Sequence, residues 1–446
     1  MAQSFLKRNW IILIIFGMLG QIAWAVENMY FNLFLFDTVS HSLDAVTLMV
    51  QLSGITATVV TMIAGTLSDK VGNRRTFISV GYLIWGITVI TFSFISVKNT
   101  EALFGLNGQA AVTFTLGVIV VTDCVMTLFG STANDACFNA WVTDNTESSY
   151  RGKIESILSI FPLISMLIVA GGFGMLVEAV GYPVLFGVLG SIITLSGIFG
   201  IFYIKDSPTL IKNPQSSFKD IFYGFKPSVV KSNVKLYLTF LVIGIYGIAC
   251  QIFMPYLIIY MKTYLGFSVM EYSVVFGIAI IVGAIAALLF GKFLDKWNKI
   301  NTLFIFILVF SLGLIFMYLC KGMNKTSTLL LFGISGAVMI IGYILTAAVS
   351  GALVRDYMPR QNVGKLQGIR MIFSVLLPMF FGPMIGNAIN AHRSIPLPDS
   401  SSADVMTTAY IPAPEIFFAA SIAALLSLIF IFLLFKQNKK ETLGKV

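Results

Sequence analysis

Three acidic residues, Glu27, Asp123 and Asp135, interrupt long apolar stretches of this sequence. An ionisable side chain inside a segment that can span a membrane costs about 2.5–3.5 kcal/mol on insertion scales, and such residues usually serve a function. A carboxyl group there can hold a cation or carry a proton, so all three acids are candidates for binding a coupling ion. The alternative for each is a structural carboxylate that hydrogen-bonds to a neighbouring helix, and Asp135 has the further alternative of lying near the end of its segment.

Amide and aromatic side chains accompany these acids. Trp24, Asn28 and Asn32 follow one another at intervals of four residues, which places them on one face of a helix. Amides offer donors and acceptors, and aromatic rings stack on the apolar faces of sugar rings, so the pattern predicts a hydroxyl-rich small-molecule cargo. The asparagines could instead hydrogen-bond helices to one another. The full set of candidate cargo-binding residues is Trp24, Asn28, Asn32, Asn134, Asn139, Tyr246, Gln251 and Tyr256.

The composition indicates the kind of element that positions these residues. Of the 446 residues, 57% are hydrophobic and 11% are charged, whereas a soluble domain has roughly 25% charged residues. A soluble enzyme, a nucleic-acid-binding module and a disordered scaffold are therefore excluded. The sequence has no phosphate-binding loop and no metal-ligand motif, so we expect no cofactor, no metal and no enzymatic activity. We interpret the cysteines as small core residues, namely Cys124, Cys137, Cys250 and Cys320.

Apolar windows long enough to cross a bilayer occur twelve times, since a span needs about 20 residues. Helices are the expected element, because barrel strands would be shorter and would alternate polar with apolar residues. The predicted fold class is an all-α membrane protein. Spans 1 to 12 are predicted at about 10–36, 45–67, 76–97, 112–141, 154–178, 182–204, 236–261, 272–292, 301–320, 327–354, 368–391 and 414–435.

The basic residues predict the orientation of these spans. Of the 29 lysines and arginines, 24 fall at the termini or in the alternate loops that share their side. Lysine and arginine are in excess on the cytoplasmic side of membrane proteins, so we expect both termini to be cytoplasmic and the chain to lie in the cell membrane. On the other side, the segment 393–412 reads as an exterior loop of turn residues.

The two halves of the chain resemble each other. A polar, proline-containing segment at 205–235 is predicted to be a cytoplasmic loop that separates an amino-terminal bundle, 1–204, from a carboxyl-terminal bundle with a tail, 236–446. GTLSDKVGNRR follows span 2 and GKFLDKWNK follows span 8, and aligning their aspartates places Asn298 opposite Gly72. A second alignment pairs Asp144 with Asp356. Duplicated six-helix halves are typical of transporters whose site lies between them at mid-membrane.

The motif GxLxDKxGxRR between spans 2 and 3 resembles the signature loop of the major facilitator superfamily. The resemblance implies twelve transmembrane helices in two pseudo-symmetric six-helix bundles, with this loop acting as a latch between conformations. Because Asn298 replaces the glycine, a complete second latch is not expected. The alternative is a basic loop that only fixes topology. The implied latch residues are Gly65, Asp69, Gly72, Arg74, Arg75, Asp144, Arg151 and Asp295.

The fourth span and the loop after it also resemble a narrower group. NDACFNAWVTDNTESSYRG, from Asn134 to Gly152, is similar to the end of the fourth span in glycoside–pentoside–hexuronide cation symporters, the melibiose-permease group. The resemblance implies that Asp135 is the cation-linked acid and that Asn28 or Glu27 contacts sugar. Span 2 lacks the paired carboxylates that the group uses for sodium, so we expect a proton. Span 4 also carries a polar stripe, which consists of Asp123, Thr127, Ser131 and Asn134. Asp135 and Asn139 form a pair on the flank of this stripe.

Together these features predict a secondary active transporter that imports a small polar solute, a sugar or glycoside, with a proton by alternating access. Glu27, Asp123 and Asp135 would couple the ion, and the amides and aromatic residues would bind the cargo. We expect a monomer whose partners are its small-molecule cargo, the cation and the lipid bilayer, with no nucleic acid. The alternatives are a proton-driven exporter of amphipathic drugs and, in another class, a membrane receptor or lipid scramblase on a transporter fold.

Overall fold

The computed structural model of the chain consists almost entirely of helices. It describes residues 2–146, 160–208, 223–294, 297–359, 363–392, 394–398 and 406–443, with positions 154, 157, 158 and 210. By contacts within the backbone, these residues form two compact units. One unit comprises Met1–Phe218 with Pro396–Ala409, and the other comprises Lys219–Ile395 with Tyr410–Val446.

The described helices carry all of the predicted spans. Eleven of them are long and apolar enough to cross a membrane, and the predicted all-helical membrane fold is confirmed. Two shorter helices, Val97–Phe104 and Pro227–Ser232, lie between spans. The bounds are Arg8–Thr38 for span 1, Leu43–Val71 for span 2, Arg74–Phe94 for span 3, Gln109–Asp144 for span 4, Phe161–Tyr203 for spans 5 and 6 together, Val234–Thr263 for span 7, Val269–Phe290 for span 8, Lys299–Leu319 for span 9, Lys325–Tyr357 for span 10, Gly368–Asn390 for span 11 and Glu415–Lys439 for span 12.

Spans 5 and 6 account for the difference between eleven long helices and twelve spans. Phe161–Tyr203 is 43 residues long, about 64 Å at 1.5 Å per residue and so about twice the thickness of a hydrocarbon core. Gly181 interrupts it with φ 79° and ψ 166°, and Pro183 follows. Glycine adopts this backbone conformation readily, so the helix turns there and supplies two spans.

Among the described residues, four spans contain a widened π-helical segment. In the amino-terminal unit these segments are Glu27–Phe31, Ser131–Phe138 and Val169–Phe173, and in the other unit it is Ile372–Leu376. A π segment changes the direction in which the following side chains point, and such segments are frequent at functional sites. The segments in spans 1 and 4 begin at or enclose candidate residues from the sequence.

The expected exterior loop at 393–412 is not entirely irregular. Strands β1, Ser394–Pro398, and β2, Met406–Tyr410, form a two-stranded sheet. The second strand has the sequence MTTAY, in which threonine and tyrosine favour extended backbone. The prediction of a loop of turn residues was therefore wrong for these ten positions.

Spans 3 and 6 pack with their backbones in contact. A Cβ atom on Gly86 would lie 2.3 Å from the backbone nitrogen of Thr194 and 2.5 Å from the carbonyl oxygen of Gly190. A Cβ atom on Gly190 would lie 2.6 Å from the carbonyl oxygen of Gly86. Small residues allow this close approach between membrane helices, where packing rather than the hydrophobic effect drives association.

We expect Gly86→Ala to destabilise the protein by about 1–3 kcal/mol, the usual cost of overpacking, because the backbone atoms opposite it cannot move aside. Gly117→Ala is the matched control, since no atom lies within 4 Å of its Cβ position in span 4. Thermal unfolding of the purified protein in detergent measures both. Equal melting temperatures for the two variants would contradict the close contact between spans 3 and 6.

Candidate functional site

Glu27 lies at the centre of a buried cluster that joins spans 1, 2 and 4. Its side chain is in the first position of the π segment of span 1 and is 7% exposed. The Ser53 hydroxyl donates to Glu27 Oε1 at 2.7 Å, and the Thr127 hydroxyl lies 3.3 Å from the same oxygen. Ser53 and Thr127 also hydrogen-bond to each other at 2.9 Å. One carboxylate oxygen thus gathers a hydroxyl from each of two neighbouring helices.

Asp123 lies one helical turn before Thr127 and is also buried. Its side chain is 1% exposed, and neither carboxylate oxygen has a hydrogen-bond partner. Glu27 Oε2 is likewise buried without a partner. The negative charge on Glu27 acts on the carboxyl group of Asp123. Two acids predicted from the sequence therefore share one apolar environment.

Asp135 has a different environment, because three side chains donate hydrogen bonds to it. The Trp24 indole and the Asn134 amide each donate to Oδ1 at 3.2 Å, and the Ser131 hydroxyl donates to Oδ2 at 3.1 Å. Asp135 is half-buried and lies inside the π segment of span 4. Its carboxylate links span 1 to span 4 and holds the indole in place.

Aromatic rings support the Trp24 indole from behind. The ring of Trp85 in span 3 lies 5.0 Å from that of Trp24, and Tyr82 packs edge-on against Trp85 at 5.3 Å. The Tyr82 hydroxyl lies 3.0 Å from Asn134 Oδ1 and 2.7 Å from the carbonyl oxygen of Phe16. These contacts fix the orientation of both Trp24 and the Asn134 amide.

The asparagines of span 1 hydrogen-bond to their own helix. Asn28 donates to the carbonyl oxygen of Trp24 at 2.8 Å, and Asn32 donates to that of Asn28 at 3.0 Å. Asn28 is exposed, whereas Asn32 is buried with its amide oxygen unpartnered. Asn139 is exposed and donates to the backbone oxygen of Asp135 at 3.0 Å, so the pair predicted on span 4 does not join the two side chains. Neither Asn28 nor Asn32 links span 1 to another helix among the described residues.

The three candidates in the carboxyl-terminal unit all lie in span 7. The Tyr246 hydroxyl donates to the carbonyl oxygen of Tyr343 at 3.2 Å. Tyr256 is fully buried, and its hydroxyl donates to the carbonyl oxygen of Pro383 at 2.9 Å. Gln251 is half-buried, and Gly382 packs against it. Both tyrosine hydroxyls are thus occupied by backbone oxygens.

Arg74 ties together three helix ends of the amino-terminal unit. Its guanidinium group forms ion pairs with Asp69, at the end of span 2, and with Asp144, at the end of span 4, at 3.1 Å for the latter. It also donates to the Ser68 hydroxyl. Arg74 is 5% exposed although it begins span 3. A planar guanidinium group can serve several acceptors at once, which is why one arginine joins these ends.

Asp206, which the sequence analysis missed, caps the start of span 3. Its Oδ1 accepts the backbone N–H groups of Arg74 at 3.0 Å and Arg75 at 2.9 Å, and a carboxylate is favourable at a helix N-terminus. Gly72 ends span 2 in the left-handed conformation with φ 65°. Gly65 lies within span 2, and no atom is within 4 Å of its Cβ position.

The carboxyl-terminal unit contains a counterpart of the Arg74 contact. Asn73 caps span 3 by accepting the backbone N–H of Thr76, and Asn298 caps span 9 in the same way. Each cap is followed by a cation, Arg74 or Lys299. Lys299 pairs with Asp356 at 2.6 Å, as Arg74 pairs with Asp144.

The prediction that Asn298 corresponds to Gly72 was therefore wrong by one position, because the helix caps align Asn298 with Asn73. Two further latch candidates, Arg151 and Asp295, lie outside the described residues. In the part of the chain that is described, no group of three or more histidine, cysteine, aspartate or glutamate side chains is placed to hold a metal ion.

The helical architecture and the signature loop agree with a comparison against protein families. The model of the Major Facilitator Superfamily matches residues 10–383 and 239–445, and the chain belongs to that superfamily. This finding confirms the resemblance carried by GxLxDKxGxRR. A search of curated protein sequences gave no significant match.

Solved transporter structures share the fold. A mutant form of the nucleoside transporter NupG is 11% identical with a TM-score of 0.71, covering 95% of this chain and 98% of its own. A D-xylose-proton symporter is 12% identical with a TM-score of 0.73, covering 96% and 97%. A bacterial homologue of the iron transporter ferroportin, in an inward-facing state, is 12% identical with a TM-score of 0.65, covering 97% and 99%. At these identities the likeness concerns the fold alone.

We expect Arg74→Ala to destabilise the protein by about 3 kcal/mol, the low end for breaking a buried ion pair, since Asp69 and Asp144 are themselves partly exposed. Arg75→Ala is the control, because its side chain is exposed and exposed charges contribute about 1 kcal/mol or less. Thermal unfolding in detergent measures the difference. Similar melting temperatures would show that Arg74 does not hold the helix ends together.

Proposed function

We propose that this transporter moves a small polar solute of the sugar or glycoside class together with a proton. The observation that carries the proposal is the pair of buried acids in the amino-terminal unit. Neither Glu27 nor Asp123 forms an ion pair with a lysine or arginine among the described residues, and three of their four oxygens have no hydrogen-bond donor. A charge that is buried without a partner is costly, so such a group is suited to taking up and releasing a cation.

A proton fits this pair better than sodium. The donors around Glu27 are the hydroxyl groups of Ser53 and Thr127, which can pass on hydrogen bonds as the carboxyl group changes its charge. Span 2 contributes the Ser53 hydroxyl to the cluster and not a carboxylate, in keeping with the absence of paired acids from that span. The likeness to the melibiose-permease group stays a prediction, and sodium coupling does not follow from it.

The cargo class is inferred from a polar strip on spans 1 and 4. Its members are the Trp24 indole, held by Asp135 at 3.2 Å, and the exposed amides of Asn28 and Asn139. An indole face can stack on a sugar ring, while amides and a half-buried carboxylate can bind its hydroxyl groups. Binding sites of this kind combine apolar and aromatic surface with a few placed polar groups.

We further infer that the Arg74 cluster is a conformational latch on the cytoplasmic side. Its contacts join the ends of spans 2, 3 and 4. Asp206 connects the segment after span 6 to the start of span 3. Alternating access in such folds is a rocking of one bundle against the other around a fixed site. The latch would then stabilise the amino-terminal bundle as a unit during that movement, with both chain termini on the same cytoplasmic side.

The experiment that tests the proposed function uses purified protein in liposomes. Thermal stabilisation first selects cargo from a panel of pentoses, hexoses, glycosides, nucleosides and amphipathic amines. Uptake of the selected compound is then measured with an inward proton gradient, with an inward sodium gradient and with neither. We expect a sugar or glycoside to be accumulated by the proton gradient and the accumulation to collapse with a protonophore. Stabilisation by amines alone, or uptake driven only by sodium, would contradict the proposal.

We expect Glu27→Gln to keep exchange of labelled cargo across the liposome membrane and to lose accumulation driven by the proton gradient. Glutamine preserves the side-chain shape and an oxygen for Ser53 and Thr127, but it has no carboxyl group to carry a proton. Glu178→Gln is the matched control, because Glu178 is an exposed acid in the same unit, and it should accumulate cargo normally. Normal accumulation by Glu27→Gln would remove Glu27 from the coupling mechanism.

A further inference from the structure

Glu27 and Asp123 both lie near Thr127. Thr127 lies within hydrogen-bond distance of Glu27 Oε1, at 3.3 Å, and it is four residues after Asp123 on the same helix. Both acids are more than nine-tenths buried. The unpartnered oxygens, one on Glu27 and two on Asp123, therefore belong to one small region between spans 1, 2 and 4.

Among the described residues, the ionisable groups that act on this region supply no positive charge. The charge on Glu27 acts on Asp123, the charge on Asp135 acts on Glu27, and the charges on Asp123 and Glu27 act on Cys124. All of these groups are neutral or negative. Two carboxylates that are close together in apolar surroundings repel each other and lack solvation, so a pair of this kind holds at least one proton.

Asp135 does not belong to the pair. Its oxygens accept hydrogen bonds from Trp24, Ser131 and Asn134, and its side chain is half-buried, not enclosed. Both oxygens of Asp135 therefore accept hydrogen bonds, whereas Glu27 and Asp123 each have at least one oxygen without a donor. This division separates a group suited to cargo from groups suited to an ion.

We propose that Glu27 and Asp123 share a single proton and act as one ion-binding site, with Asp135 outside it. This inference rests on the proposed function and deepens it by assigning the ion to a pair of residues and setting its number at one. Binding forms one O–H bond on a carboxylate oxygen of the pair, and release breaks that bond and returns the proton to water. The adjoining hydroxyls of Ser53 and Thr127, 2.9 Å apart, extend hydrogen bonding from Glu27 across spans 2 and 4.

Infrared spectroscopy of the purified protein in lipid nanodiscs at neutral pH tests the pair without any cargo. The carbonyl stretch of a neutral carboxylic acid is separate from the amide bands, and its area counts carboxyl protons. We expect equal areas for the wild type, Glu27→Gln and Asp123→Asn, because each has one proton to place. The double variant should lose that area. Asp135→Asn and the exposed control Glu178→Gln should leave it unchanged.

Three outcomes would overturn the shared proton. Half of the wild-type area in each single variant would mean two independent protons. Loss of the band in Glu27→Gln alone, with Asp123→Asn unchanged, would mean that Glu27 acts by itself. Weakening of the wild-type band when sodium chloride replaces choline chloride at equal ionic strength would mean that sodium is the ion.

A second infrared measurement, with isotope labelling, does not need the double variant. Aspartate labelled with ¹³C shifts the Asp123 band in the wild type and in Glu27→Gln, so the position of the proton can be assigned in proteins with at most one substitution. A shared proton gives a labelled component in both; its absence from both would contradict the pair. Equal band areas in the wild type and the single variants, without gradient-driven uptake, would refute the proposed proton coupling and leave the shared proton intact. Gradient-driven uptake together with two independent carboxyl protons would refute the shared proton and leave the proton coupling intact.

Discussion

The cost of a carboxyl group in apolar surroundings organises the amino-terminal unit. The chain meets this cost in three ways. Near the ends of spans 2 and 4, a single guanidinium group forms ion pairs with two acids that are also partly exposed. In the π segment of span 4, three hydrogen-bond donors surround Asp135. At Glu27 and Asp123 the compensation is incomplete, and an incomplete balance is what an ion carrier needs, because a fully satisfied carboxylate has nothing to gain from binding a cation.

Backbone geometry also affects the placement of two of these acids. Glu27 begins one π segment, and Asp135 lies inside another. A wider turn changes the rotation between successive residues, so side chains that a regular helix would place on a flank come to face a neighbouring helix. Asp135, which lies inside the π segment of span 4, accepts a hydrogen bond from Trp24 of span 1.

The sequence was sufficient for the number of spans and the all-helical class, because a bilayer imposes strict length and composition on every segment. It was sufficient for the superfamily because the signature loop is present, and two of the three acids it singled out, Glu27 and Asp123, are buried. The sequence was insufficient to predict which side chains contact each other across helices. Ser53 and Tyr82 are ordinary small or aromatic residues of apolar helices, and nothing in the spacing shows which neighbour they face. The misalignment of Asn298 with Gly72 has a similar cause, because the helix caps and not the aspartates mark equivalent positions in the two halves. The strand pair at Ser394–Pro398 was missed because its flanks are rich in turn residues.

The corresponding first residues of spans 3 and 9 differ in the group that carries their positive charge. Arg74 grips two carboxylates and a hydroxyl, whereas Lys299 pairs with Asp356 through a single ammonium group. An ammonium on a flexible stem is held less rigidly than a guanidinium fork. The start of span 9 is therefore held less firmly than the start of span 3, and its contact with Asp356 should separate first when the protein is heated.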